Sequence, residues 1–337
     1  MISANPMKAT ETLPAFPTKS FQTSSLPTFG LKKFFVGPNG LRAGWRVLMF
    51  IALCAVLLGS FILIRAGGPK AFLEHYRNQN QSQITITPLL MGASEAITLL
   101  VLCAAALVMG KIERRKFGEY GLPLRLALRK DFWVGSLIGF VAISGTLLTI
   151  FLLHGFRVNG LALHGTAILY SLFGWAIAFL LAGLVEEFLF RGYIQYTLTS
   201  GIGFWPAAFV MSGLFGLGHF FNSHESARGS ETVVLFGLLL CLFLRRTGNL
   251  WYAVGFHLGY DWGQMFYGVP DSGIVPYHNL LNSTLSGPQW LTGGMVGPEA
   301  SFLTPLALLV VALIFSRYHP ETRCQVQKQQ SMPVRVW

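Results

Sequence analysis

The chain has 337 residues, of which 53% are hydrophobic and only 12% charged, with a mean hydropathy of +0.53. Soluble domains carry about twice that share of charge, so the composition excludes an ordinary globular fold and predicts an all-α polytopic membrane protein with no soluble domain. Its 25 Lys and Arg against 14 Asp and Glu do not mark a nucleic-acid binder, because the basic residues lie between apolar runs, where they set topology.

Residues 1–44 are rich in Pro, Ser, Thr and Phe, show no sustained period and predict a disordered or surface-lying basic arm. No small-residue cleavage pattern follows a short apolar core, so the arm does not read as a cleaved signal. Apolar runs follow at about 47–64, 84–110, 132–154, 166–184, 205–221, 231–244, 250–268 and 301–316, which predicts about eight transmembrane helices across roughly 30 Å of hydrocarbon. Together they make a helical membrane domain over 45–316, followed by a basic tail at 317–337. The basic residues before the first run, after the second (Lys111 to Lys130), after the sixth (Arg245, Arg246) and after the eighth all fall on one side. That side is cytoplasmic by the positive-inside rule, so both termini are expected there, with the arms touching anionic headgroups. Cys54, Cys103, Cys241 and Cys324 are scattered and give neither a disulfide framework nor a thiolate metal set.

Polar residues at depth carry the functional signal. The stretch EEFLFR ends the fourth run with Glu186, Glu187 and Arg191. Glu187 and Arg191 are spaced i, i+4 and can pair along one face; Glu186, about 100° away, needs a partner from another helix. FGLGH supplies His219, and HLGYD supplies His257 with Asp261 at i, i+4. Glu186 lies roughly 21 Å before the TSGIG turn and His219 roughly 24 Å after it, so in an antiparallel hairpin the two come out level. A single intramembrane Glu or His often only bridges helices, and Glu95 in the second run, with no nameable partner, is read that way. His224, Glu225 and Glu231 read as solvated loop residues. Four level ionisable groups on three helices are costly unless they share a task. A carboxylate in an apolar pocket can take a proton from water; alternatively, two imidazoles and a carboxylate make a zinc set with an open position. Either arrangement hydrolyses a polarised carbonyl.

EEFLFR fits EExxxR, FGLGH fits FxxxH and HLGYD fits HxxxN/D, in the order found in the CPBP family of intramembrane proteases, which includes the Rce1-like CAAX prenyl endopeptidases and bacteriocin self-immunity proteins. The resemblance covers a core at about 165–268. It implies that Glu186 and His219 activate water, that His257 and Asp261 stabilise the oxyanion, and that Glu187 and Arg191 support the site. A metal, zinc, held by Glu186, His219, His257 and Asp261 is one version of that chemistry. Asp261 stands where the prenyl endopeptidase branch has Asn. The implied partners are membrane lipids and a membrane-associated protein or peptide near the cytoplasmic leaflet, in a bacterial cytoplasmic membrane. An inactive self-immunity or scaffold protein that retains the motifs is the alternative; a transporter would show internal repeats or broken helix pairs.

Overall fold

The first apolar run winds into α1 (Ala43–Arg65), and the other seven runs are helical as well. They are seen in a computed structural model that describes residues 35–37, 40–71, 86–222, 224–274 and 277–323. Most of the expected N-terminal arm and C-terminal tail, with Cys324, lies outside the described residues. After α1 come α2 (Pro88–Glu113), α3 (Lys130–Leu152) and α4 (Thr166–Glu187). A π-wound segment, Phe188–Ile194, leads on into α5 (Gln195–Ile202). Then follow α6 (Phe204–His219), α7 (Ala227–Thr247), α8 (Trp251–Tyr267), the short α9 (Gln289–Thr292) and α10 (Leu303–Tyr318).

Local chemistry sets the ends. Thr87 caps α2 by accepting from the Leu90 amide at 3.2 Å with Pro88 behind it, and Ser226 caps α7 by accepting from Gly229 N at 3.1 Å; both are N-cap residue types. α7 stops at Gly248, whose φ of +77° closes the helix in the left-handed conformation.

Among the described residues, five helices are long and apolar enough to cross a membrane: α1, α2, α3, the 37-residue rod Thr166–Ile202 and α7. All eight expected runs are helical, and α6, α8 and α10, with 16, 17 and 16 residues, are shorter than the rest at about 24–26 Å. α8 owes its shortness to its surroundings. Buried along most of its length and packed against α3, α4 and α7, it meets protein rather than lipid and need not match the hydrocarbon thickness.

α3 and α8 are the most intimate pair. Gly135 and Gly139 on α3 face Gly255 and Gly259 on α8, and a Cβ at Gly139 would overlap the carbonyl of Phe256, one at Gly259 that of Ser136. Small residues at four-residue spacing bring two backbones together, the principal way apolar helices associate in a bilayer.

At one end of the bundle, β3 (Phe156–Leu161) pairs antiparallel with β4 (Leu281–Leu285), joining the loop before α4 to the loop after α8. β1 (Val36–Gly37) and β2 (Gly40–Leu41) form a small ladder before α1, at the other end. That end carries the basic flanks and a buried hub: Glu113 receives Arg46 at 2.5 and 3.0 Å, Tyr193 OH at 2.5 Å and Tyr120 OH at 3.3 Å. One carboxylate therefore ties α1 and α2 to the segment that follows the EEFLFR motif.

Candidate active site

The EEFLFR stretch passes from α-helix into π-helix at Phe188, and Gly192 adopts a non-helical ψ of −110° inside it. A π-turn adds a residue to the helical circuit, a device concentrated at functional sites. Glu187 remains beneath Arg191 all the same: Nη1 donates to Oε1 at 3.0 Å, and both side chains are wholly buried. The guanidinium lies 4.2 Å from the centre of the Phe215 ring. Gly237 on α7 makes room for it, since a Cβ there would press on Nη2.

His257 is the junction of the site. Its Nδ1 is 3.1 Å from Glu187 Oε1, and its Nε2 is 3.4 Å from Glu186 Oε2 and 3.2 Å from Asp261 Oδ2. Three carboxylates from two helices thus surround one imidazole, and Arg191, Glu187, His257 and Asp261 form an unbroken polar chain. Glu186 and Glu187 are neighbours in sequence with opposite fates. The Glu186 side chain is 30% exposed and reaches the cavity, while Glu187 is at 0%, so only Glu186 can meet a water and a substrate.

The cavity, of about 630 Å³, is lined by Glu186, His219, His257 and Asp261 together. His219 faces the Phe215 carbonyl through Nδ1 at 2.9 Å. A carbonyl only accepts, so that nitrogen carries a proton, and in the neutral ring Nε2 is the acceptor. The lining also includes Leu90, Ser94 and Glu95 of α2, and Asn222, Asp271 and Glu299 from the loops after α6 and α8. Glu95, which the sequence left without a partner, lines the same cavity as Glu186. Asn222, Asp271 and Glu299 belong to the end of the bundle opposite Arg46, Glu113 and Arg245.

Two further carboxylates, in the loop after α8, were not singled out by the sequence. Among the described residues, the one group of three metal-ligating side chains whose ligand atoms all lie within 4.8 Å of one another is Asp261, Asp271 and Glu299, all buried. Gln264 Nε2 donates to Asp271 at 2.6 Å and to Glu299 at 3.1 Å, and Ser272 donates to Glu299 from its backbone N at 3.1 Å and its hydroxyl at 2.5 Å. This acidic cluster can bind a metal ion, and its all-oxygen donors suit a hard cation. Glu186, His219 and His257 do not gather into a comparable group, and His257 turns both nitrogens to carboxylates at hydrogen-bond distances. The zinc set expected from the spacing therefore does not fit this arrangement, and no step below passes through it. Burial raises the carboxyl of Asp271 well above the usual range, and Asp261 and Glu299 push it further. Glu225, expected to be solvated, is half-buried beside the Ser226 amide, and burial raises its carboxyl as well.

No curated protein matches the chain. Residues 167–263 match the family model described as type II CAAX prenyl endopeptidase Rce1-like. That segment runs from the first turn of α4 into α8 and carries Glu186, Glu187, Arg191, His219, His257 and Asp261, and over it this integral membrane protein is similar to the Rce1-like family.

Proposed function

We propose that the chain is an intramembrane endopeptidase in which Glu186 is the general base. The observation that carries this reading is the contrast at His257: one nitrogen faces the buried, arginine-paired Glu187, the other the cavity-facing Glu186 and Asp261. Glu186 removes a proton from a water held against the unprotonated nitrogen of His219. The water oxygen bonds to the peptide carbonyl carbon, and the proton passes from Glu186 to the departing amine as the C–N bond breaks. His257, held by Glu187 from behind, donates to the oxygen that gains charge. Before substrate arrives the Nε2–H of His257 faces Asp261 at 3.2 Å, which fixes the ring's orientation; the same hydrogen turns to the oxyanion during the reaction, so Asp261 itself need not serve as an oxyanion donor. Glu187 and Arg191 keep the imidazole in place.

The substrate is a membrane-associated peptide. We propose that it enters from the end of the bundle bearing Asn222, Asp271 and Glu299, which line the cavity, rather than from the basic end near the cytoplasmic leaflet. We keep a bacterial cytoplasmic membrane as the location, with the basic end inside.

The test is cleavage of a quenched peptide library, lipidated C-terminal peptides included, by purified protein in detergent. Glu186→Gln should lower the rate at least about 100-fold without changing the melting temperature. A variant that cleaves as well as the parent would remove the glutamate mechanism. Absence of cleavage by folded parent protein would transfer the weight to a non-catalytic self-immunity role.

A further inference from the structure

A second cavity, of about 600 Å³, opens at the basic end of the bundle, on the other side of the EEFLFR segment from the first. Four arginines contribute to its wall, Arg115, Arg125, Arg191 and Arg323, against one acid, Glu119. Two of the four are already matched: Arg191 by Glu187, and Arg115 by Glu119 at 3.2 Å and by Tyr196 OH at 2.5 Å. The guanidinium of Arg125 has no ion-pair partner among the described residues, and Arg323 meets only Glu321 at 3.9 Å with both side chains in solvent. The inner wall includes Gln195, a wholly buried side chain whose Nε2 has no acceptor among the described residues. A buried amide hydrogen without an acceptor is costly, and an anion in the cavity would supply one. Hydroxyls of Thr199 and Ser200 and the amide of Asn249 complete the polar wall.

We infer that this cavity is a binding site for the phosphate group of an anionic lipid headgroup. Guanidinium groups match phosphate oxygens in pairs. The cavity opens at the end of the bundle that carries Arg46, Lys130 and Arg245, near the ends of α1, α3 and α7, which is where headgroups of the inner leaflet reside. Its volume exceeds what a lone anion fills, and its hydroxyl and amide groups suit the polar part of a headgroup. Arg191 and Gln195 separate the site from the candidate active site, so an occupant would brace the segment that holds Glu187 against His257. The inference does not depend on the protease reading.

The experiment is native mass spectrometry of the full chain in nonionic detergent, titrated separately with phosphatidylglycerol, with a phosphate-free diacylglycerol glycolipid and with inorganic phosphate at constant ionic strength. Phosphatidylglycerol should bind saturably and the glycolipid should not. The double variant Arg125→Gln/Arg323→Gln should bind about 100-fold more weakly, at about tenfold for each charge-assisted contact. Both side chains reach solvent, so the lipid-free melting temperature should stay at the parent value. Saturation by inorganic phosphate alone, lost in the double variant, would identify the source as a free anion and keep the phosphate site. Equal binding of the glycolipid, or undiminished phosphatidylglycerol binding by the variant, would overturn it.

Discussion

Replacing Arg191 with Met should be among the most damaging single changes in the protein. The guanidinium is wholly buried, 3.0 Å from an equally buried Glu187 Oε1 and 4.2 Å from the Phe215 ring centre. Without it, Glu187 keeps one donor, His257 Nδ1 at 3.1 Å, and its Oε2 has no hydrogen bond even in the intact protein. Leaving one charge of a buried pair uncompensated costs about 3–5 kcal/mol, and the lost ring contact adds about 1 kcal/mol. In a chain of this size that is a fall of roughly 10 °C or more in melting temperature, readable by tryptophan fluorescence in detergent. The double variant Glu187→Gln/Arg191→Met removes the stranded charge and keeps an oxygen for His257, so it should recover at least about 2 kcal/mol relative to Arg191→Met. A cost below about 1 kcal/mol for Arg191→Met, or simple additivity of the two changes, would refute the claim that the pair acts as a unit.

Gly259→Leu should prevent folding, measured as loss of the monodisperse peak on size exclusion, because the backbone of Ser136 already occupies the space of the new side chain; Gly145→Leu, which faces open space, should have little effect. The raised carboxyl of Asp271 means that the folded state holds its proton more tightly than the unfolded chain. Stability should therefore decline as pH rises from the unfolded value through the folded one, and Asp271→Asn, which keeps the oxygen that accepts from Gln264, should flatten a melting-temperature profile and raise its alkaline end. In a cysteine-free background in whole cells, a membrane-impermeant maleimide should label Ser286→Cys and leave Leu128→Cys untouched until the cells are permeabilised. The reverse pattern would invert the proposed entry side.

Legibility in the sequence followed sequence distance. The pairs Glu187–Arg191 and His257–Asp261 are i, i+4 on single helices, and helical geometry alone specified both. The levelling of Glu186 with His219 rested on counting helical rise from the TSGIG turn. The acidic cluster spans Asp261 to Glu299 through a loop with no periodic signal, so nothing local announced that Asp271 and Glu299 return beneath α8. Glu95 had no visible partner because its facing residues lie on another helix whose rotation no pattern fixes. The packing of α3 on α8 was present in the text as GSLIG and GFHLGYDWG, glycines four apart, and could have been found. The shortness of α8 followed from burial by neighbours, which hydropathy of the chain itself does not register.

The Glu113 hub gives α1 a mechanical character. Of its 23 residues only Arg46 and Phe50 are buried, both near the basic end, while Ile64 at the far end is 79% exposed. A rod about 34 Å long in about 30 Å of hydrocarbon must lean by about 28°, and with its foot clamped to Glu113 it leans as a lever about that point. A membrane a few ångströms thinner tips it further. The short arm of the lever ends at Phe50, stacked 4.1 Å from Tyr193 in the π-wound segment, so the thickness of the bilayer is delivered as a small torque to the stretch of helix that carries Arg191.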